Sequence, residues 1–332
     1  KIYNQLKILY YIKKYIENIY KIKLIDNENN TINENEIQRI EFFKSLKEII
    51  FSSGSLYIKF FQWYISKLKS NIINNNCDET KITLKLINYF EDIFEDCPYH
   101  DLEYTKKIFK ESMLGIDLDY YIDMTTFKVI ASGSIGQVYY GKRKRDGLEV
   151  AIKVKHPTIE KDLKNQYELL TLLKYIQSIE YFKQKYNLIF SIDDFIEDIN
   201  LQCDFNNEAN NVSKFINNFK NSEKFIIFPK IIFQSNDLLI SEYIEGKSVS
   251  TLSDMQKFKT SLNFICFFYQ MLFVDNFIHG DLHCKNWKVR INKDTNNPQL
   301  IIYDCGICFQ NSNIQLSIDF WFSLINYDIN KI

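Results

Sequence analysis

Apolar residues recur at three- and four-residue spacing through residues 1–25 and 36–51, the pattern of amphipathic helices, with the polar stretch NENNTINENE as the loop between them. The segment GSLYIKFFQWYISKLKS (54–70) predicts a third helix, and NIINNNCDET breaks it. Further helices are predicted at 81–95, 101–114 and 118–122. The texture changes near residue 126. FKVIASGSIGQVYYGKRKRDGLEVAIKVK carries β-branched and aromatic runs punctuated by a glycine-containing loop (131–136) and a turn at Asp146-Gly147, so it reads strand, loop, strand, turn, strand. Helical patterns return at 159–182 and 191–218, with strands at 224–233 and 237–244. A long apolar helix is predicted over 256–277. A hairpin follows, WKVRI and QLIIYD around the polar turn NKDTNNP, and a last helix fills about 313–327.

Helices come first, then a small strand-rich unit with a glycine loop, then a helical part with one hairpin. This order predicts an α+β body of two lobes. The divisions are a helical extension over 1–125, a strand-rich lobe with inserted helices over 126–244, and a second lobe over 245–332.

Composition changes the picture little. The chain of 332 residues has apolar content enough for a large core, and its net charge of −1 gives no basic signature of a nucleic-acid partner. Asn, Ile, Lys, Tyr and Phe are abundant as a general bias, so a polar run such as NNEANN means little alone. Seven dispersed cysteines without a CxxC pair argue against a disulfide scaffold and for a reducing compartment. The most apolar run, FICFFYQMLFVDNFI (264–278), is short for a membrane span and carries Gln270 and Asp275, so it reads as a buried helix. The chain opens on Lys1, so we expect its natural start, and any targeting segment, upstream.

The candidate chemistry lies in three stretches. In ASGSIGQV, residues Ala131, Gly133, Gly136 and Val138 occupy the positions of a kinase-type G-x-G-x-x-G-x-V loop, with Ser132 and Ser134 between them. Glycine there lets backbone approach phosphate closely. Taken alone, the loop fits an ordinary hairpin better. Fifteen residues after Val138 comes Lys153 in VAIKVK, the pattern of a strand lysine that contacts nucleotide phosphates. Its apolar neighbours predict a buried strand, where an ammonium needs an acidic partner. In HGDLHCKN, Asp281 and Asn286 are five apart, as a catalytic carboxylate and a metal-binding amide are in kinase loops; Asp304-Cys305-Gly306 follows where a metal-binding D-F-G would stand. The competing reading, a zinc site on His279 and His283, lacks a third soft ligand nearby.

Together these residues resemble the UbiB/aarF (ABC-one, ADCK-type) atypical kinase family, over about residues 40–325, with FVDNFIHGDLH most similar to the second ADCK-type branch. The family's KxGQ element is matched by Lys59 to Gln62 in KFFQ, its SIGQV loop by ASGSIGQV, its lysine and HP step by IKVKHP, its ExD…EA by QCDFNNEA, and its HxDxHPxN by HGDLHCKN. The resemblance implies a two-lobed protein kinase-like fold with an N-terminal helical extension and a C-terminal lobe cut short at Ile332. It implies ATP and Mg²⁺ as cofactors. Lys153 would pair with Glu208, Asp281 would be the catalytic carboxylate, Asn286 and Asp304 would bind metal, and Glu242 to Ile244 would form the adenine-reading hinge. Lys59, Gln62, Gln202 and Asp204 would belong to the regulatory element.

The sequence departs from the family at Phe61 (for Gly), Gln202 (for Glu), Gly133 (for Ala) and Cys284 (for Pro), and Gly280 replaces the Arg of an ordinary kinase loop. The family's activity supports isoprenoid quinone (coenzyme Q) biosynthesis and lipid homeostasis. Its eukaryotic members are mitochondrial and membrane-associated, so the resemblance implies isoprenoid lipid, a membrane surface and quinone-biosynthesis proteins as partners. The altered KxGQ and ExD elements suggest a second reading, a nucleotide-regulated pseudokinase scaffold. A third, a small-molecule phosphotransferase, shares the HGD loop but lacks the N-terminal element.

Overall fold

The computed structural model describes residues 97–157, 192–311 and 314–325, together with Phe90, Ile159 and most positions from 44 to 65. The helix predicted over 1–25, that over 159–182 beyond Ile159, most of 81–95, and parts of 36–51 and 54–70 lie outside the described residues. Two compact units are present. One comprises residues 1–100, 131–137 and 156–195; the other comprises 101–130, 138–155 and 196–332. In the first unit the described positions of 44–62 are helical apart from Gly54. Phe60 meets Phe195 edge-on at 5.3 Å between ring centroids, and Phe61 meets Phe90 at 5.0 Å. The Phe that stands for the family's glycine is therefore a packing residue.

The second unit begins with α1 (Leu102–Ser112), whose N-cap Asp101 accepts a hydrogen bond from the Tyr104 N–H. After the short α2 (Leu118–Tyr121) come β1 (Ile122–Ser132), β2 (Gly136–Arg143) and β3 (Glu149–Lys155). The first strand thus starts four residues earlier than the change of texture near 126 predicts, because Ile122 turns fully into the core. The long helix predicted at 191–218 is two helices, α3 (Ile192–Gln202) and α4 (Phe205–Asn218). Asp204 makes the break: it is extended at φ −107°, and its side chain caps α4 by accepting from the Asn206 N–H.

The strand predicted at 224–233 is also two. β4 (Ile226–Ile227) pairs in parallel with β9 (Pro298–Ile302), whereas β5 (Ile231–Gln234) pairs with β6 (Leu238–Glu242). Pro229 separates them, having no N–H to offer a ladder. The main sheet runs β1-β2-β3-β6-β5. Its alternating inward residues Val150, Ile152, Val154, Leu238 and Ile240 pack with Phe109 and Leu118 in one apolar core.

Helix α5 (Asp254–Tyr269) opens with a reciprocal capping box between Ser253 and Gln256. It ends earlier than the predicted 277: residues Gln270–Val274 widen into a π turn, and Phe277–His279 form a short strand, β7, paired with β10 (Cys308–Gln310). The predicted hairpin is β8 (Trp287–Ile291) with β9, and helix α6 (Ile314–Ile325) follows. Phe215 of α4 stands at the centre of the second core, touching the rings of Phe219, Phe228, Phe267 and Phe277. That core fixes α4 against the strands that flank the HGD and DCG segments.

Candidate active site

Lys153 lies on β3 opposite Leu239 of β6. Its Nζ is 2.7 Å from Glu208 Oε2, in the first turn of α4, and 3.4 Å from Asp304 Oδ1. The ammonium also sits 5.2 Å from the centroid of the Phe205 ring. Burial works against the lysine's charge, but Asp304 and Glu208 more than offset it and hold the pKa above the usual lysine range. Burial pushes the Glu208 carboxyl up to about 7, with Lys153 pulling it down and Asp304 adding to the rise. The acidic partner that a buried strand lysine demanded is thus in place.

The DCG segment is held by α4 itself. Asn207 Nδ2 donates to the Gly306 carbonyl at 3.3 Å, and Asn211 Nδ2 donates to the Cys305 carbonyl at 2.9 Å. One face of α4 therefore carries Glu208 for the lysine and two amides for the backbone that follows Asp304. Sequence reasoning missed these two asparagines. Their i, i+4 spacing beside Glu208 was the available signal. Asp304 adopts φ +48°, the left-handed region that few non-glycine residues occupy, and its Oδ1 accepts from the Gly306 N–H at 3.4 Å.

His279, at the end of β7, organises the loop before Asp281. The Asp281 N–H donates to His279 Nδ1 at 3.2 Å, and His279 Nε2 lies 3.3 Å from the Tyr303 carbonyl. A carbonyl only accepts, so Nε2 carries the proton and the ring is neutral; burial lowers its pKa accordingly. Both ring nitrogens are engaged, and no group of three metal-binding side chains exists among the described residues.

Asn286 Nδ2 donates to the Asp281 carbonyl at 2.8 Å, and the Asn286 carbonyl accepts from the Tyr303 N–H at 2.8 Å. Asp281, Asn286 and Asp304 are therefore tied through one backbone network. Gly280 has a steric reason: a Cβ there would stand 2.8 Å from Ile307 Cγ2 and 3.0 Å from Phe309 Cε1. A larger residue at that position requires the Ile307 and Phe309 side chains to move.

The residues predicted to form the hinge, Glu242 to Ile244, make the following contacts. Tyr243 N–H donates to the Glu149 carbonyl, and the Ile244 carbonyl accepts from the Tyr303 hydroxyl at 2.9 Å. Glu242 pairs with Val150 across the ladder and its carboxylate accepts from the Lys230 N–H. Tyr303 was not anticipated from the sequence; it ties Ile244 to the residue before Asp304. At the C-terminus of α3, Gln202 packs beside Gly306, and its buried Nε2 has no hydrogen-bond partner among the described residues. Asp204 serves as the α4 cap. Lys153, Glu208, Asp281, Asn286 and Asp304 are thus brought together with Gln202 and Asp204 in the second unit.

The remaining predicted residues have these places. Ser132 and Ser134 are buried in the first unit: Ser134 Oγ donates to Gln62 Oε1 at 3.1 Å, and Ser132 Oγ is 3.4 Å from His156 Nε2. The KFFQ element therefore touches the glycine loop through Gln62, while Lys59 is half-buried. Ala131 is the penultimate residue of β1, Gly136 opens β2, and Val138 follows in the second unit. A Cβ at Gly133 would meet only the Gly136 carbonyl oxygen, at 3.7 Å.

A strand lysine paired with a helix glutamate, next to a D-x-x-x-x-N loop and a DCG turn on an α+β scaffold, defines a protein kinase-like fold. The ABC1 atypical kinase-like domain matches residues 92–332, and the chain belongs to that family. Similar proteins include a probable serine/threonine-protein kinase abkC of Dictyostelium discoideum, 28% identical over 265 residues, or 77% of this chain and 36% of that protein. A probable protein kinase UbiB of Aliivibrio salmonicida is 31% identical over 210 residues, 59% of this chain and 37% of its own. AarF domain-containing protein kinase 1 of Xenopus tropicalis is 26% identical over 215 residues, covering 62% and 40%. The chain spans 36–40% of the length of these relatives. Among solved structures, Rv3197 of Mycobacterium tuberculosis in complex with erythromycin shares the fold, with a TM-score of 0.53 at 21% identity over 70% of this chain and 59% of that one.

Proposed function

We propose that this chain binds Mg²⁺-ATP and acts as an atypical kinase or ATPase of the UbiB/aarF type. The observation that carries the reading is the placement of Asp304 beside the Lys153–Glu208 pair, on a segment hydrogen-bonded to the Asp281–Asn286 loop. The donor set suits magnesium. Asn286 commits its Nδ2 to the Asp281 carbonyl, which leaves its amide oxygen for a hard cation, and Asp304 adds a carboxylate. Two such protein ligands fit an ion that keeps waters and takes the rest of its shell from phosphate. Bound there, the ion would neutralise charge on the phosphates.

Lys153, kept charged and aimed by Glu208, holds the phosphate oxygens. Asp281 orients the attacking hydroxyl or water and accepts its proton. His279, neutral, keeps the Asp281 backbone in register. The glycine loop supplies backbone donors to phosphate, as its sequence pattern suggests. From the family resemblance come the remaining elements of the proposal: a role in isoprenoid quinone (coenzyme Q) biosynthesis or lipid homeostasis, a mitochondrial location, and contact with isoprenoid lipid, membrane or quinone-biosynthesis proteins. No helix among the described residues is long and apolar enough to cross a membrane.

ATP turnover by the purified chain, measured beside Asp281→Asn, tests the proposal. Turnover that disappears in the variant supports it; turnover of equal rate in both contradicts it. One observation favours a second reading, a nucleotide-regulated scaffold without chemistry: Gln202, uncharged where the family has an acid, has an Nε2 without a hydrogen-bond partner among the described residues, beside Gly306. Nucleotide binding without any turnover would select that reading.

A further inference from the structure

Four carbonyls of the glycine loop are engaged by protein. The Ser132 carbonyl accepts from the Cys97 N–H at 2.8 Å, the Gly136 carbonyl from the Gly133 N–H at 3.0 Å, and the Ile135 carbonyl from the His156 N–H at 2.9 Å. The Gly133 carbonyl, at the apex, lies 3.0 Å from His156 Nε2. By contrast the consecutive N–H groups of Ser134 and Ile135 make no hydrogen bond among the described residues. The Ser132, Gly133, Ile135 and Gly136 carbonyls are thus turned to protein, and the two successive donors of Ser134 and Ile135 are left over. Consecutive unpaired N–H groups are what an anion-binding backbone concavity needs; a carbonyl turned the same way would repel the anion.

His156 does this twice, through its backbone and its ring, and a second histidine orients it. His100 Nδ1 lies 2.8 Å from His156 Nδ1, with the rings edge to face at 4.9 Å. The Gly133 carbonyl can only accept, so His156 carries its proton on Nε2. Its Nδ1 is then the acceptor, and His100 donates from its own Nδ1. Burial lowers the His156 pKa, in keeping with this neutral form. His100 is in turn placed by its backbone N–H, which donates to Gln137 Oε1 at 2.9 Å, one residue beyond the loop. All of these groups belong to the first unit.

We infer that His156, with its tautomer set by His100, is a positioning residue that pins the Gly133 carbonyl and so keeps the Ser134 and Ile135 N–H groups available to nucleotide phosphate. This rests on the nucleotide reading proposed above and adds to it a device outside the Lys153 and Asp281 network. It separates phosphate recognition from recognition of the nucleoside.

The test compares binding of Mg²⁺-ATP with binding of adenosine by calorimetry, on the whole chain, for wild type, His156→Leu, His156→Gln and His100→Leu, each checked for cooperative unfolding. His156→Leu is expected to weaken Mg²⁺-ATP by about 10-fold or more, the worth of a lost hydrogen-bond arrangement around a charged ligand. Adenosine affinity stays the same. His156→Gln, whose amide can still donate to Gly133, should recover most of the loss. His100→Leu should lose less, again for Mg²⁺-ATP alone. Should His156→Leu fail to fold, the His100→Leu ratio decides. Equal losses for both ligands, or no loss in either Leu variant, overturn the inference and leave the nucleotide reading standing. A folded wild type that binds neither ligand overturns the nucleotide reading, and this inference with it.

Discussion

Lys153 Nζ and Glu208 Oε2 meet at 2.7 Å, across 55 residues of sequence, with the lysine side chain 17% exposed and the glutamate 7%. Such a pair constrains more than it stabilises, because two desolvated charges offset much of their attraction. Removing one partner leaves the other uncompensated. Glu208→Ala should therefore destabilise the fold by about 3 kcal/mol, at the low end of the range for broken buried pairs since Asp304 remains beside the lysine. Lys153→Met combined with Glu208→Leu should recover much of that loss. Urea unfolding of the two variants checks this; a single-variant loss below about 1 kcal/mol would show the pair to be solvated.

The raised carboxyl of Glu208 predicts a pH dependence. Its ordinary value is 4.5, and burial pushes it to about 7 in the fold. Between those values the unfolded chain has lost a proton that the folded chain keeps. Folding stability from this group is then greatest below about pH 4.5 and declines as pH rises to about 7. Glu208→Gln has no such group. Its midpoint relative to wild type should rise as pH goes from about 4.5 to 7, as read by thermal scans at matched ionic strength. A difference that stays flat with pH would contradict the raised value.

Tyr303 and Ile244 tie the end of β6 to the DCG segment through one hydroxyl. Tyr303→Phe removes that donor and nothing else. The expected cost is about 1 kcal/mol, a typical net hydrogen bond. Hydrogen exchange should show added opening at residues 243–246, next to Ile244. Unchanged exchange there, with unchanged stability, would mean that this segment is held by the Tyr243–Glu149 backbone bond alone.

Two glycines should respond in opposite directions. At Gly246 a Cβ would stand 2.5 Å from Lys288 Cβ and 2.7 Å from Ile301 Cδ1, so Gly246→Ala should cost about 1–3 kcal/mol by overpacking. At Gly133 there is room, and φ is not positive, so Gly133→Ala should stabilise by about 0.4–1 kcal/mol through the unfolded state. Chemical denaturation of the pair reads both signs at once. A destabilised Gly133→Ala would show that the loop backbone needs a conformation only glycine adopts.

What the sequence made legible was set by period and spacing. The β2–β3 hairpin, the β8–β9 hairpin and the spacing of Asp281, Asn286 and Asp304 could be read because each is local. Boundaries decided by distant partners could not. Ile226 and Ile231 belong to different sheets because one meets Leu300 and the other Ser241, and no local pattern distinguishes them. The break at Asp204 was hidden because helical residues flank it on both sides, although an Asp before an apolar residue is a capping signal. Asn207, Asn211 and Tyr303 were obscured for another reason. In a chain rich in Asn and Tyr, a functional amide or hydroxyl looks like its neighbours until the carbonyl it binds is known.

The central claim, a nucleotide–metal site built on Asp304, is tested most directly by thermal unfolding with and without Mg²⁺-ATP, for wild type and Asp304→Asn. Asparagine suits the variant because it tolerates the left-handed backbone of that position while losing the charge. A ligand present at about 100 times its dissociation constant should stabilise the fold by about 2.7 kcal/mol. The midpoint should rise clearly for wild type and little or not at all for the variant. No rise in wild type at any nucleotide or metal concentration, or an equal rise in both proteins, would contradict the claim.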